Sequence, residues 1–153
     1  MALFIDTFVN KIDSKGRVSV PATFRAALGS QSFPGIVAFP LHKFRALRCA
    51  GMDWMEDLGR NVNRADFLSE EQDDLTATIF GDTKQLPFDG EGRVMLPDAL
   101  TSHAGLDGVA AFFGRGPFFE IWEPKALEAY KAEARQRALE KGRTLRLRPD
   151  ERS

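Results

Sequence analysis

Hydrophobic and polar positions along the chain change period in an order that occurs twice. Val18 and Val20 alternate with polar neighbours, Val94 and Leu96 stand at the same spacing, and a proline follows each pair at once, Pro21 or Pro97. Period two predicts strands. Proline cannot donate to a central ladder but suits a first helical turn, so each copy predicts strand, proline and short helix, over 22–29 and 98–105. The short apolar runs 36–39 and 109–113, bounded by glycine or proline, predict buried strands, and 118–122 continues the second through a turn at 114–117. The period then lengthens toward 3.6, predicting helices over 53–61 and 69–78, the latter with Ser69 as N-cap and Gln72 at the capping-box position. A longer helix is predicted over 124–141, with Leu127, Tyr130, Ala134 and Leu139 on one face and Gly142 as its stop. Residues 143–153 are polar and basic and predict a tail with little to bury.

The doubled order rests on a doubled motif. Asp13-Ser14-Lys15-Gly16-Arg17-Val18-Ser19-Val20-Pro21 returns as Asp89-Gly90-Glu91-Gly92-Arg93-Val94-Met95-Leu96-Pro97, an offset of 76 residues. In each, Asp-x-x-Gly supplies side-chain hydrogen bonding and a residue tolerant of positive φ, which together make a turn feeding a strand. Halves of this size have marginal cores alone. Packed together as an internal pseudo-dimer, with 13 phenylalanines for apolar material, they predict one body of approximate two-fold symmetry.

Composition fits a globular protein, with 43% hydrophobic and 28% charged residues. The single cysteine, Cys49, rules out an intramolecular disulfide framework and a thiolate-rich zinc site. The N-terminal apolar run stops at Asp6 without a basic region, and no stretch reaches membrane-spanning length, so a cytoplasmic location is expected. Net charge is formally −1 and argues, taken whole, mildly against nucleic acid. Its distribution changes that picture. Up to Arg48 the basic residues Lys11, Lys15, Arg17, Arg25, Lys43, Arg45 and Arg48 face only Asp6 and Asp13, an excess of +5. Between Asp53 and Asp74, Arg60 and Arg64 face Asp53, Glu56, Asp57, Asp66, Glu70, Glu71, Asp73 and Asp74, an excess of −6. The acidic run reads either as a solvated helical surface or as one pole of a molecule whose other pole is the basic motif face.

With Asp-x-x-Gly-Arg-Val-x-Val/Leu-Pro present twice and Phe119-Glu120-Ile121-Trp122 after the second copy, the sequence resembles the MraZ family of bacterial transcriptional regulators. The resemblance spans nearly the whole chain. It departs from the pattern in the first half, where Leu47-Arg48-Cys49 stands near the place of Phe-Glu-Ile-Trp, and in the Arg-rich tail. The fold it implies is mainly β with accessory helices, a tandem swapped-hairpin double-split β-barrel of AbrB type made by two pseudo-symmetric halves. The divisions expected are 1–52 and 81–124 for the two SpoVT-AbrB domains, 53–80 for a connecting helical region, 125–142 for a C-terminal helix and 143–153 for the basic tail. The function implied is sequence-specific binding of double-stranded DNA at repeated boxes upstream of the division and cell-wall operon, its own gene included. Assembly into a homo-oligomeric ring and a nucleoid-associated location come with it.

Arg17 and Arg93 each follow a glycine in a tight turn, so a guanidinium there can take guanine O6 and N7 or a phosphate. The competing reading is a salt bridge to the motif's own Asp13 or Asp89. Arg17 is the stronger candidate for DNA contact, because Glu91 stands where the first copy has Lys15. Lys15 is expected on phosphate, with Lys11 and Arg25 as helpers. Asp13 and Asp89 are expected to hold the turns by accepting hydrogen bonds, and Gly16 and Gly92 to meet backbone requirements. His42 and His103 lack a second ligand at metal spacing, Cys49 lacks an activating partner, and Trp54 and Trp122 are expected in packing roles. No cofactor, metal or small-molecule substrate is expected. Two other functions compete: an architectural oligomeric module without DNA readout, and an enzyme using Asp13 and Asp89 as paired acids or Gly29-Ser30 as a self-processing site.

Overall fold

The computed structural model describes residues 2–64, 69–143 and 145. Asp66 of the acidic run, and the tail apart from residues 143 and 145, lie outside the described residues. Each half lays down the same elements in the same order. The first gives β1 (Thr7–Lys11), β2 (Arg17–Ser19), α1 (Ala22–Ala27), β3 (Gly35–Pro40) and β4 (Leu47–Ala50). After α2 (Met52–Arg64), α3 (Glu70–Leu75) and a π-helical turn (Thr76–Phe80), the second gives β5 (Lys84–Pro87), β6 (Arg93–Met95), α4 (Asp98–Ala104), β7 (Val109–Gly114) and β8 (Phe119–Trp122). Helix α5 (Pro124–Glu140) follows.

Strands of one half pair with strands of the other. β1 pairs with β7 and, reciprocally, β3 with β5. β2 pairs with β6 so that Val18 faces its own counterpart Val94. β4 pairs with β8 so that Arg48 faces Glu120. A pseudo-two-fold axis therefore passes through the Val18/Val94 and Arg48/Glu120 pairs, as two copies in one chain require.

The six-stranded antiparallel sheet runs β1-β7-β8-β4-β3-β5, and β2 and β6 make a separate two-stranded ribbon. The fold is mainly β with accessory helices, but the sheet does not close into the expected barrel, since β1 and β5 remain its ends. The reason is local. β2 and β6 are three residues long, each ends one residue before its proline-led helix, and outside their own ladder β2 reaches β1 through the single bridge Ile12–Val18.

One face of the sheet makes the main core. Ile36, Ala38, Leu47, Cys49, Leu86, Phe112, Phe119 and Ile121 point there and meet Val18 and Val94 from the ribbon, Phe24 and Leu28 from the first half, and Leu100 and Ala104 from α4. Phe4, Phe24 and Phe119 touch one another with ring centroids 4.9–5.2 Å apart. The other face is covered by α2, with Met55 against Val37, Phe39 and Ala50, and by α5, with Leu127 against Ala46, Ala111 and Trp122. The ribbon and α2 consequently lie on opposite sides of the sheet. The start of α2 nonetheless approaches the second motif turn, because Asp53 N–H donates to Gln31 Oε1 at 2.9 Å and Gln31 lines one cleft with Asp89, Gly90 and Gly92.

Several local expectations shift. Ser69 Oγ accepts from Gln72 N at 3.2 Å, but Gln72 Oε1 is buried without a partner among the described residues, so only half of the capping box forms. The helix expected over 69–78 changes to π geometry at Thr76. α5 ends as expected, with Gly142 at φ +57°, whereas Leu139 is 79% exposed and not on the buried face. β1 and β5 have no counterpart in the pattern reading, because Thr-Phe-Val-Asn-Lys and Lys-Gln-Leu-Pro each bury too little to show an alternation.

Candidate nucleic-acid interface

The two motif turns have one geometry. Asp13 Oδ1 accepts from the Lys15 and Arg17 backbone N–H groups, both at 2.9 Å, and Oδ2 accepts from Arg17 Nε at 2.7 Å. Asp89 does the same, taking Glu91 N at 2.9 Å, Arg93 N at 3.0 Å and Arg93 Nε at 2.9 Å. Gly16 N–H donates to Asp13 O and Gly92 N–H to Asp89 O, with the glycines at φ +84° and +75°. Only glycine adopts that conformation without strain. At Gly92 there is a second reason, since a Cβ would stand 2.7 Å from the Arg25 side chain. Both carboxyls are held below the usual carboxylate range, chiefly by the N–H of Arg17 for Asp13 and of Arg93 for Asp89, with desolvation opposing. Arg93 is pushed above the usual guanidinium value, first by its hydrogen bond to Asp89.

The turns are cross-tied to each other. Leu96 N–H donates to Gly16 O at 2.9 Å and Val20 N–H to Gly92 O at 3.2 Å, each reaching from one half to the other. The β2–β6 ribbon between them buries Val18 and Val94, and period two then turns Arg17, Ser19, Arg93 and Met95 outward together. Arg17 stands opposite Met95, and Ser19 opposite Arg93. The structure thus brings Lys15, Arg17 and Arg93 to one ribbon, with Asp13, Gly16, Asp89 and Gly92 as its turn frame. Arg25 leans on the second turn, its Nε donating to Val20 O at 3.0 Å. Lys11 is exposed at the end of β1, two residues before Asp13. Met95, 57% exposed beside Arg17, was not foreseen; the alternation about Val94 is the signal that places it outward.

Both readings of the arginines have a place in this geometry. Each aspartate takes the arginine Nε, leaving the terminal nitrogens of Arg17 without a hydrogen bond among the described residues. Arg93 is more occupied, with Glu91 at 3.7 Å and Asp13 at 4.0 Å as further ion partners. Over the two turns Lys15, Arg17 and Arg93 are offset by Asp13, Asp89 and Glu91, so the frame itself is electrically neutral and Lys11 and Arg25 supply the positive excess. The remaining candidates are structural. Cys49 is buried, and burial pushes its thiol well up. His103 Nε2 is 2.7 Å from Leu41 O, Trp54 stacks on Phe39, and Trp122 packs on Phe44 and Tyr130.

On the opposite side of the sheet, at the pseudo-axis, the buried Glu120 carboxylate takes Arg48 Nη2 at 2.9 Å, Arg115 Nη1 at 3.1 Å and Trp122 Nε1 at 3.0 Å. Phe119-Glu120-Ile121-Trp122 is therefore a clamp between halves. Phe119 and Ile121 fill the main core, and Glu120 and Trp122, buried on the other face of the sheet, bind each other, with Glu120 also taking Arg48.

The chain is 45% identical over 147 residues to the transcriptional regulator MraZ of Rickettsia bellii, covering 95% of this chain and 98% of that one. It is 44% identical over 146 residues, with the same coverage, to the proteins of that name from Rickettsia canadensis and Rickettsia africae. The chain belongs to the MraZ family. The family description "MraZ protein, putative antitoxin-like" matches residues 79–148 of this MraZ-family chain, which includes the second motif turn, β6 and the Glu120 clamp. Among the described residues of this MraZ-family protein, no helix is long and apolar enough to cross a membrane.

Proposed function

We propose that this chain is a DNA-binding transcriptional regulator that presents the β2–β6 ribbon and its two turns to double-stranded DNA. One observation carries the reading: two aspartate-anchored turns from separate halves are tied into one ribbon with Arg17 and Arg93 on its outer face. A B-form major groove, about 12 Å wide, admits a two-stranded ribbon. In this reading Arg17 reads a base edge or clamps a phosphate, Arg93 assists, and Lys15, Lys11 and Arg25 hold phosphates. Asp13 and Asp89 fix the arginine stems and are not the acids of a reaction. Both are held ionised, whereas paired general acids need values pushed apart. The relatives' name, transcriptional regulator MraZ, supports the regulatory role.

The neutral turn frame makes one protomer a weak binder, because phosphate neutralisation supplies most non-specific affinity. Specific occupancy then comes from several ribbons on successive boxes, each later contact gaining effective concentration from the first. We accordingly extend the proposal to a homo-oligomeric ring acting in the cytoplasm at the nucleoid, on repeated boxes upstream of the division and cell-wall operon and its own gene. The division into domains 1–52 and 81–124 with connecting, helical and tail segments belongs to the same proposal. The neutral frame also favours a second reading, an architectural oligomer without DNA readout. A mobility-shift titration with the DNA upstream of this protein's own gene, intact and with scrambled boxes, separates them. Retained affinity for scrambled DNA refutes specific readout, and no shift at low salt by an assembled protein supports the architectural reading.

A further inference from the structure

The pseudo-two-fold that relates the halves breaks down on the outer face of the ribbon. At the offset of 76, Arg17 and Arg93 are mates, and so are Ser19 and Met95, Lys11 and Pro87, and Ile12 and Phe88. Met95 stands opposite Arg17 on the ladder, whereas Ser19 stands opposite Arg93. Met95, Pro87 and Phe88 line one open cleft together with Arg17, Arg93 and Asp89. Their mates are Ser19, Lys11 and Ile12, so one end of the ribbon is apolar and the other carries a hydroxyl and a cation.

Met95 does not serve the core. It is 57% exposed, belongs to none of the hydrophobic clusters among the described residues, and has its Cγ 4.0 Å from where a Cβ on Gly16 would stand. Its side chain therefore lies against the first motif turn, on the face that carries Arg17. Ser19 shows that the ladder accepts a small polar residue in the mate position. A lone exposed methionine needs no explanation, but an apolar group gathered at one end of an otherwise polar and charged surface does.

An arginine beside an apolar patch matches one pattern of base edges. In the major groove a guanidinium pairs with guanine O6 and N7, and the C5-methyl of thymine is the apolar group that a base presents there. Directly opposed residues of an antiparallel ladder stand about 4.5–5.5 Å apart, little more than the roughly 3.4 Å rise of a base step, so Arg17 and Met95 address neighbouring base pairs. Methionine suits such a contact because its unbranched thioether chain adapts to an irregular gap.

We propose that Met95, backed by Pro87 and Phe88, seats the C5-methyl of a thymine next to the base pair that Arg17 contacts, and is thereby a specificity-determining residue. Ser19 offers no apolar surface at the other end, so only one end of the ribbon requires a methyl group. This inference rests on the DNA-binding reading above, and its test separates the two.

The test is a mobility-shift titration of the full chain on the DNA upstream of its own gene, with each thymine replaced in turn by deoxyuridine. That replacement deletes the methyl and leaves every hydrogen-bonding group of the base in place. Wild type is expected to lose about fourfold in affinity at one thymine position per box, the worth of burying one methyl group. Met95→Ser installs the mate's residue and is checked for folding by circular dichroism. It is expected to bind unmodified DNA about fourfold more weakly than wild type and to be indifferent to deoxyuridine at that position. Met95→Leu keeps an apolar tip and should keep the sensitivity. If wild type prefers intact to scrambled boxes yet no thymine is sensitive, or if Met95→Ser keeps the wild-type sensitivity, the methyl contact is overturned and the DNA-binding reading stands. Wild type that binds intact and scrambled boxes alike overturns both.

Discussion

Replacing Glu120 by leucine removes the centre of the clamp between the two halves, and the cost can be worked from its contacts. The side chain is 1% exposed and accepts from Arg48 Nη2 at 2.9 Å, Arg48 Nε at 3.3 Å, Arg115 Nη1 at 3.1 Å and Trp122 Nε1 at 3.0 Å. Leucine leaves the buried indole N–H unpaired, which costs about 1–3 kcal/mol. It also leaves two guanidiniums uncompensated. Breaking a fully buried ion pair costs about 3–5 kcal/mol, but Arg48 and Arg115 are 29% and 32% exposed and rehydrate in part. The expected total is about 2–4 kcal/mol, or a fall in Tm of roughly 5–15 °C for a chain of this size. Urea unfolding followed by far-ultraviolet circular dichroism measures it, with the near-ultraviolet signal reporting the Trp122 environment. Arg48→Met combined with Glu120→Leu should cost less than Glu120→Leu alone, because an apolar pair of similar volume then replaces the charges. A loss below about 0.5 kcal/mol for Glu120→Leu, or strictly additive costs in the double variant, refutes the clamp.

Three other outcomes follow from the turns and from the charge distribution. Glu91→Lys restores to the second turn the cation that Lys15 gives the first, and it frees Arg93 from one ion partner; DNA affinity in a mobility shift should rise, with a steeper salt dependence. Asp13 and Asp89 are depressed in the folded state, so their contribution to stability is present above the ordinary carboxylate value and is lost as pH falls below about 4 through the folded values. Acid unfolding should therefore steepen there for wild type and flatten in Asp13→Asn/Asp89→Asn. Neutralising Asp53, Glu56 and Asp57 on α2 with Glu70, Glu71, Asp73 and Asp74 on α3 should raise affinity for scrambled DNA in a filter-binding titration, and unchanged non-specific affinity would show that this surface does not restrain binding.

The motif turns were legible because their requirements are local. Asp13, Gly16 and Arg17, and their counterparts 76 residues on, close hydrogen bonds within five residues, and a sequence shows such spacing directly. The doubled pattern also foretold the pseudo-two-fold, since halves too small to bury a core must bury it in each other. The pairing of β1 with β7 and of β3 with β5 was not legible, because edge strands that bury alternate residues on one side leave a faint pattern. Closure into a barrel failed as an expectation because it depended on β2 and β6 being long enough to join two neighbours each. The role of Glu120 escaped for a different reason: its partner Arg48 lies 72 residues away, and a charge inside Phe-Glu-Ile-Trp shows its burial only when the facing strand is known. Leu139 has the right spacing for the buried face of α5, but helical spacing cannot tell where the body beneath the helix ends.

The central claim is that Arg17, held by Asp13 on the outer face of the ribbon, contacts DNA. The direct measurement is a mobility-shift titration of wild type, Arg17→Ala and Arg17→Lys against the tandem boxes upstream of the gene, repeated across salt concentrations with folding checked by circular dichroism. The account predicts that Arg17→Ala weakens binding by about 5- to 150-fold, the range of a lost guanidinium contact, and lowers the salt dependence by about one unit if that contact is to phosphate. Arg17→Lys should recover affinity without full discrimination against scrambled boxes if the contact is to a base. Wild-type affinity and salt dependence in Arg17→Ala would contradict it.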